Sequence, residues 1–297
     1  MKLYKTTLRP RSAFASVIKG DTFWGHLCWG IKYSLSEDRL KNLLKTYRDG
    51  RPFLIVSDAF AKGYLPKPKM PPIYLKENID QKKKNKKKVW LTLEELQSGE
   101  FHKAKRDEDV YAIKDKSITV IRNSINYKTF TTDSGTFAPY GVDEYYLNEK
   151  DLYFLLDEEQ LRLNELEEAL HIISQIGFGK DTTIGKGRFD FTSFQELNID
   201  FHATTYMALS PFVITTNEEI KRAFYEPFTR FGKFGLERAY ENPFKNYVLL
   251  ANSAAIIEYK EKKYRQFIGK AIEGISKTYQ DALIQGYAIL LPIKDLS

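Results

Sequence analysis

Gly177-Phe178-Gly179-Lys180-Asp181-Thr182-Thr183-Ile184-Gly185-Lys186-Gly187-Arg188-Phe189 carries four glycines and three cationic side chains. Before it, Leu163, Leu166, Leu170 and Ile173 recur three or four residues apart, the helical period. Asn164 with Glu167 reads as the helix start, and Gly177 as its C-terminal stop. After it, Phe189 and Phe191 alternate with Arg188 and Asp190, a strand pattern. The order is helix, glycine loop, strand. Nucleotide-binding glycine loops run the other way, from a strand into a helix. A G-x-x-x-x-G-K-[ST] loop also fails locally, because Lys180 stands five residues before Gly185 and Gly187 follows Lys186. A G-x-G-x-x-G loop begun at Gly177 and Gly179 fails at Thr182. A helix C-terminus does not favour an anion. Any phosphate held here relies on Lys180, Lys186, Arg188 and the loop amides, which glycine allows to approach closely. Two readings stay open: a cradle for nucleic-acid phosphates, and a long turn joining helix to strand.

Working outward, Met1 to Leu8 reads as a strand. Asp21 and Thr22 cap a helix whose apolar stripe is Phe23, Trp24, Leu27, Cys28 and Ile31. Residues 52–56 end in a short strand, and Asp151 to Leu156 form another. With residues 60–145 set aside, the order is β-α-β-β-α-β, a ferredoxin-like unit with its helices on one face of a four-stranded sheet. RNA-recognition modules share this architecture. The residues set aside form a long insertion. It opens with Ala59-Phe60-Ala61-Lys62-Gly63-Tyr64-Leu65-Pro66-Lys67-Pro68-Lys69-Met70-Pro71-Pro72, whose prolines argue for an extended and irregular path. Lys82-Lys83-Lys84-Asn85-Lys86-Lys87-Lys88 repels itself and reads as a mobile, solvated loop tip in preference to a specific site. Residues 118–132 read as a strand pair or extended segment containing Ile121-Arg122-Asn123-Ser124-Ile125-Asn126.

A second unit starts near His202. Strands are expected at Tyr206 to Val213, at Tyr247 to Ile257 with a break at Asn252-Ser253, and at Tyr287 to Leu291. Thr216 and Glu219 read as a capping box for a helix through Ile220, Ala223 and Phe224. Phe228, Phe231 and Phe234, with Gly232 and Gly235, either stack bases or pack a core, and the core is favoured. The unit reads as a degraded repeat of the first. The fold class is therefore α+β: tandem ferredoxin-like (RRM-like) domains at 1–198 and 199–297, with an insertion at about 60–145.

The chain has 297 residues, 42% of them apolar, and a net charge of +7. That balance suits a globular protein with an acidic partner such as nucleic acid. The single cysteine, Cys28, excludes an intrachain disulfide, and with four scattered histidines no metal site or cofactor is expected. The N-terminus has no secretory pattern and no apolar run spans a membrane, so a soluble, cytoplasmic protein is expected.

Several segments together resemble the RAMP superfamily of CRISPR proteins. They are Gly20-Asp21-Thr22-Phe23-Trp24-Gly25-His26-Leu27-Cys28-Trp29, Tyr64-Leu65-Pro66-Lys67-Pro68, Arg122-Asn123-Ser124-Ile125-Asn126, the glycine loop, and Gln285-Gly286-Tyr287-Ala288. Within that superfamily the chain is most similar to the Csm subunit that binds the crRNA 5′ end in type III-A effector complexes. The resemblance implies tandem ferredoxin-like domains with a thumb-like inserted β-element. It implies crRNA as a partner, along with the large polymerase/cyclase-type subunit and the backbone RAMP subunit. It implies that Gly177, Gly179, Lys180, Thr182, Gly185, Lys186, Gly187 and Arg188 contact the crRNA handle. Arg122, Asn123 and Asn126 match the family's insertion motif, but Tyr127 stands where the typical pattern has Arg. A binding and assembly subunit, not an enzyme, is implied.

The alternative is a metal-independent endoribonuclease, which needs a general base and a cation for the phosphorane. His26 is the best candidate among the histidines, set against a helix histidine hydrogen-bonded in the core. His171 has a similar reading, and His102 and His202 have no evident partner. Asp181 is expected to orient Lys180 or Lys186. A scaffold that touches protein partners and little RNA is the third reading.

Overall fold

Strand β1 (Lys2–Pro10) runs along the middle of the first sheet in the computed structural model, which describes residues 1–112, 114–132, 134–215 and 219–296. Helices α1 (Gly20–Ser34) and α2 (Glu37–Arg48) follow, then β2 (Leu54–Val56). The insertion carries a hairpin, β3 (Lys116–Arg122) and β4 (Tyr140–Tyr146). The chain then returns through β5 (Lys150–Leu156), helix α3 (Leu163–Ile176) and β6 (Phe189–Phe191). The sheet order is β6-β1-β5-β2, with every neighbour antiparallel. β5 is buried at every position: Leu152 to Leu156 form an apolar run, and the two charged residues before it are partnered, Asp151 accepting from the Thr7 hydroxyl at 2.7 Å and Lys150 donating to the Tyr111 hydroxyl at 2.5 Å. The helices cover the sheet with Phe23, Trp24, Leu27 and Ile31 from α1 and Leu166, Leu170 and Ile173 from α3. Gly30 lets α1 lie close on α3, since a Cβ there would stand 2.4 Å from the Ala169 carbonyl oxygen.

Both helix starts differ from the sequence expectation. α1 has no side-chain cap, and Asp21 is instead buried in its first turn, where Arg230 donates to both carboxylate oxygens at 2.6 and 2.7 Å. α3 begins at Leu163, and Glu165, not Glu167, accepts from the Arg162 N–H at 2.8 Å. In each case a partner distant in sequence, or a neighbour equally able to accept, outcompetes the expected local bond.

The second unit contains β7 (His202–Ala208), β8 (Ile220–Phe224), β9 (Pro227–Arg230), β10 (Val248–Ala251), β11 (Ile256–Tyr264), β12 (Phe267–Gly269) and β13 (Tyr287–Pro292). Its main sheet has the order β8-β11-β7-β13-β12, again antiparallel throughout. Leaving out β12, the second, third, first and fourth strands lie side by side, the order of the first sheet. The expected helix is absent: Ile220, Ala223 and Phe224 lie in β8, and Thr216 lies outside the described residues. Among the described residues the unit has no α-helix. The physical reason is coverage by other means. Met207, Ile256, Ile289 and Leu291 pack into the core of the first unit, while the alternate residues Tyr206, Ala208, Ile257, Ala288 and Leu290 pack around the loop residue Phe212.

The units are joined by polar contacts as well. The Val56 N–H donates to Gln285 Oε1 at 2.8 Å, and Gln285 Nε2 donates back to the Val56 carbonyl at 2.8 Å. Lys19 Nζ donates to Asp58 at 2.7 Å and to Asn252 at 3.2 Å.

Three further expectations are corrected in the insertion and the second unit. The lysine run is not a plain loop tip: Lys82–Asn85 form a helical turn and a strand begins at Lys88. Asn85 is buried, its Nδ2 donating to the Asn78 carbonyl at 2.8 Å, while Lys67 Nζ donates to the Asn85 carbonyl at 2.8 Å. The strand in 118–132 finds its partner at 140–146 instead of within its own segment. Phe231 is not a core residue but is 48% exposed.

Candidate nucleic-acid interface

The glycine loop leaves α3 at Gly177, where φ is 104°, and closes on itself at Gly187, where φ is 74°. A Cβ at Gly187 would stand 2.1 Å from the Phe178 carbonyl oxygen, and one at Gly177 would stand 2.3 Å from that of Lys186. Glycine is required at both positions by backbone angle and by space. The Phe178 N–H donates to the Gly187 carbonyl at 2.9 Å and zips the two arms together. Phe178 itself is fully buried, with ring centroids 5.4 Å from Phe23 and 4.8 Å from His26.

Most loop amides are taken up within the protein, which corrects the picture of an amide cradle. Gly179 N–H donates to His26 Nε2 at 3.2 Å, Lys180 N–H to Ser16 Oγ at 3.2 Å, and Arg188 N–H to Ser12 Oγ at 2.9 Å. Gly187 N–H donates to the Ala13 carbonyl at 2.9 Å, and Gly185 and Lys186 N–H bond to carbonyls within the loop. Among the described residues, only the N–H groups of Asp181, Thr182 and Thr183 at the loop tip lack such an acceptor.

The cations divide into two pairs. Lys186 Nζ lies 2.6 Å from Glu144 Oε2, on β4. Arg122, at the end of β3, binds Glu144 at 3.0 Å and Asp181 at 2.7 Å. Glu144 is only 4% exposed, and its bond to Lys186, with Arg122 beside it, holds its carboxyl below the usual range. Asp181 thus orients Arg122, not Lys180 or Lys186. Lys180 and Arg188, in contrast, are exposed and form no ion pair among the described residues. Arg122 is brought onto the loop. Asn123 is exposed and Asn126 half-buried, neither makes a hydrogen bond to it, and Asn126 Oδ1 accepts instead from the Lys128 N–H at 3.0 Å.

His26 is the partly buried, hydrogen-bonded helix histidine that one of the two sequence readings expected, and its partner lies in the glycine loop. Its Nε2 accepts from the loop, so its proton sits on Nδ1. Burial, with Lys245 nearby, pushes its pKa down to about 4. His202, which had no evident partner, lies 2.8 Å from Asp200 through Nδ1. Ser12, Ser16 and Glu144 escaped sequence reasoning. The two serines belong to no motif, and Glu144 meets the loop only because the hairpin folds back, anchored by mutual hydrogen bonds between Phe14 and Tyr145 at 2.8 and 2.7 Å. Among the described residues no three His, Cys, Asp or Glu side chains converge as a metal site, and no helix is long and apolar enough to cross a membrane.

No protein-family model and no curated protein sequence matches this chain. Solved structures do. A chain from a Csm1–Csm4 cassette in complex with AMPPNP is similar over 99% of this chain and 98% of its own length, at 16% identity and a TM-score of 0.60. A chain from the cassette in complex with cA4 gives 15% identity, the same coverage and a TM-score of 0.59. A chain from a Csm3–Csm4 subcomplex of the type III-A CRISPR-Cas interference complex covers 99% of this chain and 100% of its own length, at 15% identity and a TM-score of 0.64. Along nearly its whole length this chain has the fold of those Csm-complex chains.

Proposed function

We propose that this chain binds the repeat-derived 5′ handle of crRNA and helps assemble a type III-A (Csm) interference complex in the cytoplasm, with no catalytic site of its own. The observation that carries the reading is the likeness of fold, over 99% of the chain, to chains from both a Csm1–Csm4 cassette and a Csm3–Csm4 subcomplex. That pairing supports a position between the large polymerase/cyclase-type subunit and the backbone RAMP subunit. The two sheets of equal strand order are read as tandem ferredoxin-like domains, the second stripped of its helices. The RNA-facing part of the loop is its tip, Asp181 to Thr183, with Lys180 and Arg188. Gly177, Gly179, Gly185 and Gly187 shape the loop, and Lys186 and Arg122 reach phosphate only by leaving Glu144 and Asp181. The hydrogen bond that His26 accepts supports a binding subunit over an endoribonuclease, since the nitrogen that would take a proton already holds the Gly179 N–H.

The test is reconstitution of the chain with its partners and crRNA. Replacing Lys180 and Arg188 with Ala weakens RNA binding across sequences. It also lowers the log–log salt slope by about 1.4, at roughly 0.7 per lost single-strand phosphate contact. An unchanged slope with the fold intact removes the loop from the RNA interface. Precursor crRNA stays uncut, and specific cleavage that disappears in His26→Gln would establish the endoribonuclease instead.

A further inference from the structure

Beyond β9 and β10, residues 231–247 continue with their two arms paired: the Lys245 N–H donates to the Gly232 carbonyl at 2.9 Å and the Phe234 N–H to that of Pro243 at 2.7 Å. On this extension three aromatic rings lie nearly parallel. Phe231 is stacked on Tyr247 at 4.5 Å with 20° between planes, and on Phe244 at 5.9 Å with 16°. None belongs to a core cluster: Phe231 is 48%, Phe244 47% and Tyr247 73% exposed. Lys233 Nζ lies 4.6 Å from the Phe244 centroid. Tyr247, the most exposed ring, ends the stack.

We infer that this stack is a base-stacking platform for single-stranded RNA, separate from the glycine loop. The inference rests on the RNA-binding reading above and adds a second contact of a different kind. Three contiguous exposed rings on a soluble chain mark a contact surface. Their near-parallel arrangement presents a flat face that a base can extend as the next member of the stack. Lys233 is exposed and has no ion pair among the described residues, so its charge is available to the phosphate beside a stacked base. Stacking of this kind tolerates any base, and its strength does not depend on salt as phosphate contacts do.

The experiment compares binding of the full chain to a short oligoadenylate and to the same oligomer with abasic positions. The wild-type chain is expected to prefer the oligomer with bases. Tyr247→Ala reduces that preference about tenfold, within the range for one lost base–aromatic stack, and leaves the salt slope unchanged. Tyr247→Trp retains the preference, which separates stacking from a general loss of structure. Lys180→Ala with Arg188→Ala shows the converse, a lower slope with the base preference kept. Salt-dependent binding without base preference, or a preference that survives Tyr247→Ala, overturns the platform and leaves the glycine-loop reading standing. No RNA binding by the wild-type chain overturns both. If Tyr247→Ala keeps the base preference but loses assembly with protein partners, the stack is a protein-docking surface and the inference falls.

Discussion

His26 accepts a hydrogen bond from a backbone amide 153 residues away, and with the packing of Phe178 on Phe23 this contact holds the start of the glycine loop against α1. Protonation would turn the acceptor into a donor facing a donor. The folded chain takes up this proton only near pH 4, whereas an ordinary imidazole does so near 6.5. A depressed histidine pKa makes the unfolded chain the better proton binder between those values. The contribution is therefore complete above about pH 6.5 and declines as pH falls toward 4. Glutamine also offers an acceptor at this position, without titrating. Urea midpoints measured across this range should fall with acid more steeply in the wild type than in His26→Gln, and identical curves would remove His26 as the titrating support. At this scale the sequence was only half legible. Periodicity placed His26 on a helix beside apolar neighbours, but a bond to a residue so distant leaves no local pattern. The glycines were more legible, because positive φ and close approach at Gly177 and Gly187 admit few other residues.

Among the elements, the inserted hairpin and the glycine loop are joined by four charges that sum to zero: Arg122 and Lys186 against Glu144 and Asp181. The cluster has two consequences in opposite directions. It ties down a hairpin whose remaining side chains are largely exposed, and it occupies two of the cations that an RNA backbone would otherwise attract. Glu144 is the hinge of this balance because it is buried and bonded to both cations. Glu144→Gln is expected to loosen the hairpin, read as faster amide exchange in 116–146. It should also release Lys186 toward RNA, raising the salt slope by about 0.7 if one phosphate contact is gained. A slope equal to the wild type, with exchange faster, would confine the cluster to a structural role. The helix–loop–strand order was legible here because each flank has its own period. The same method failed at Ile220, Ala223 and Phe224, whose spacing fits a helix but whose side chains sit on a strand beside Ile256 and Ile257. Short apolar segments fit both periods, and the neighbouring strand decides.

For the whole molecule, the sequence suggests two self-contained repeats, yet the main core draws on both. Met207, Ile256, Tyr287, Ile289 and Leu291 from the second sheet pack with Trp24, Tyr47, Phe53 and Val56 from the first unit. The Tyr287 hydroxyl donates to the Tyr47 carbonyl at 3.1 Å, and Gln285 occupies both hydrogen-bonding groups of Val56, as a neighbouring strand would. The strands of the first unit were recoverable from the spacing of apolar runs and those of the second only in part, while a shared core is a property of how two sheets meet, which no single run encodes. Two units that complete each other's core should unfold together. Calorimetry of the full chain is expected to show one transition, and residues 1–198 alone should not fold cooperatively. Gln285→Leu retains bulk while leaving the Val56 N–H and C=O without partners in a buried place, at a cost of about 1–3 kcal/mol for each orphaned group. That loss should shift the single transition downward without splitting it. Two separated transitions in Gln285→Leu, one of them at the wild-type temperature, would mean that the units are independently stable and that their shared surface is an interface between domains instead of one core.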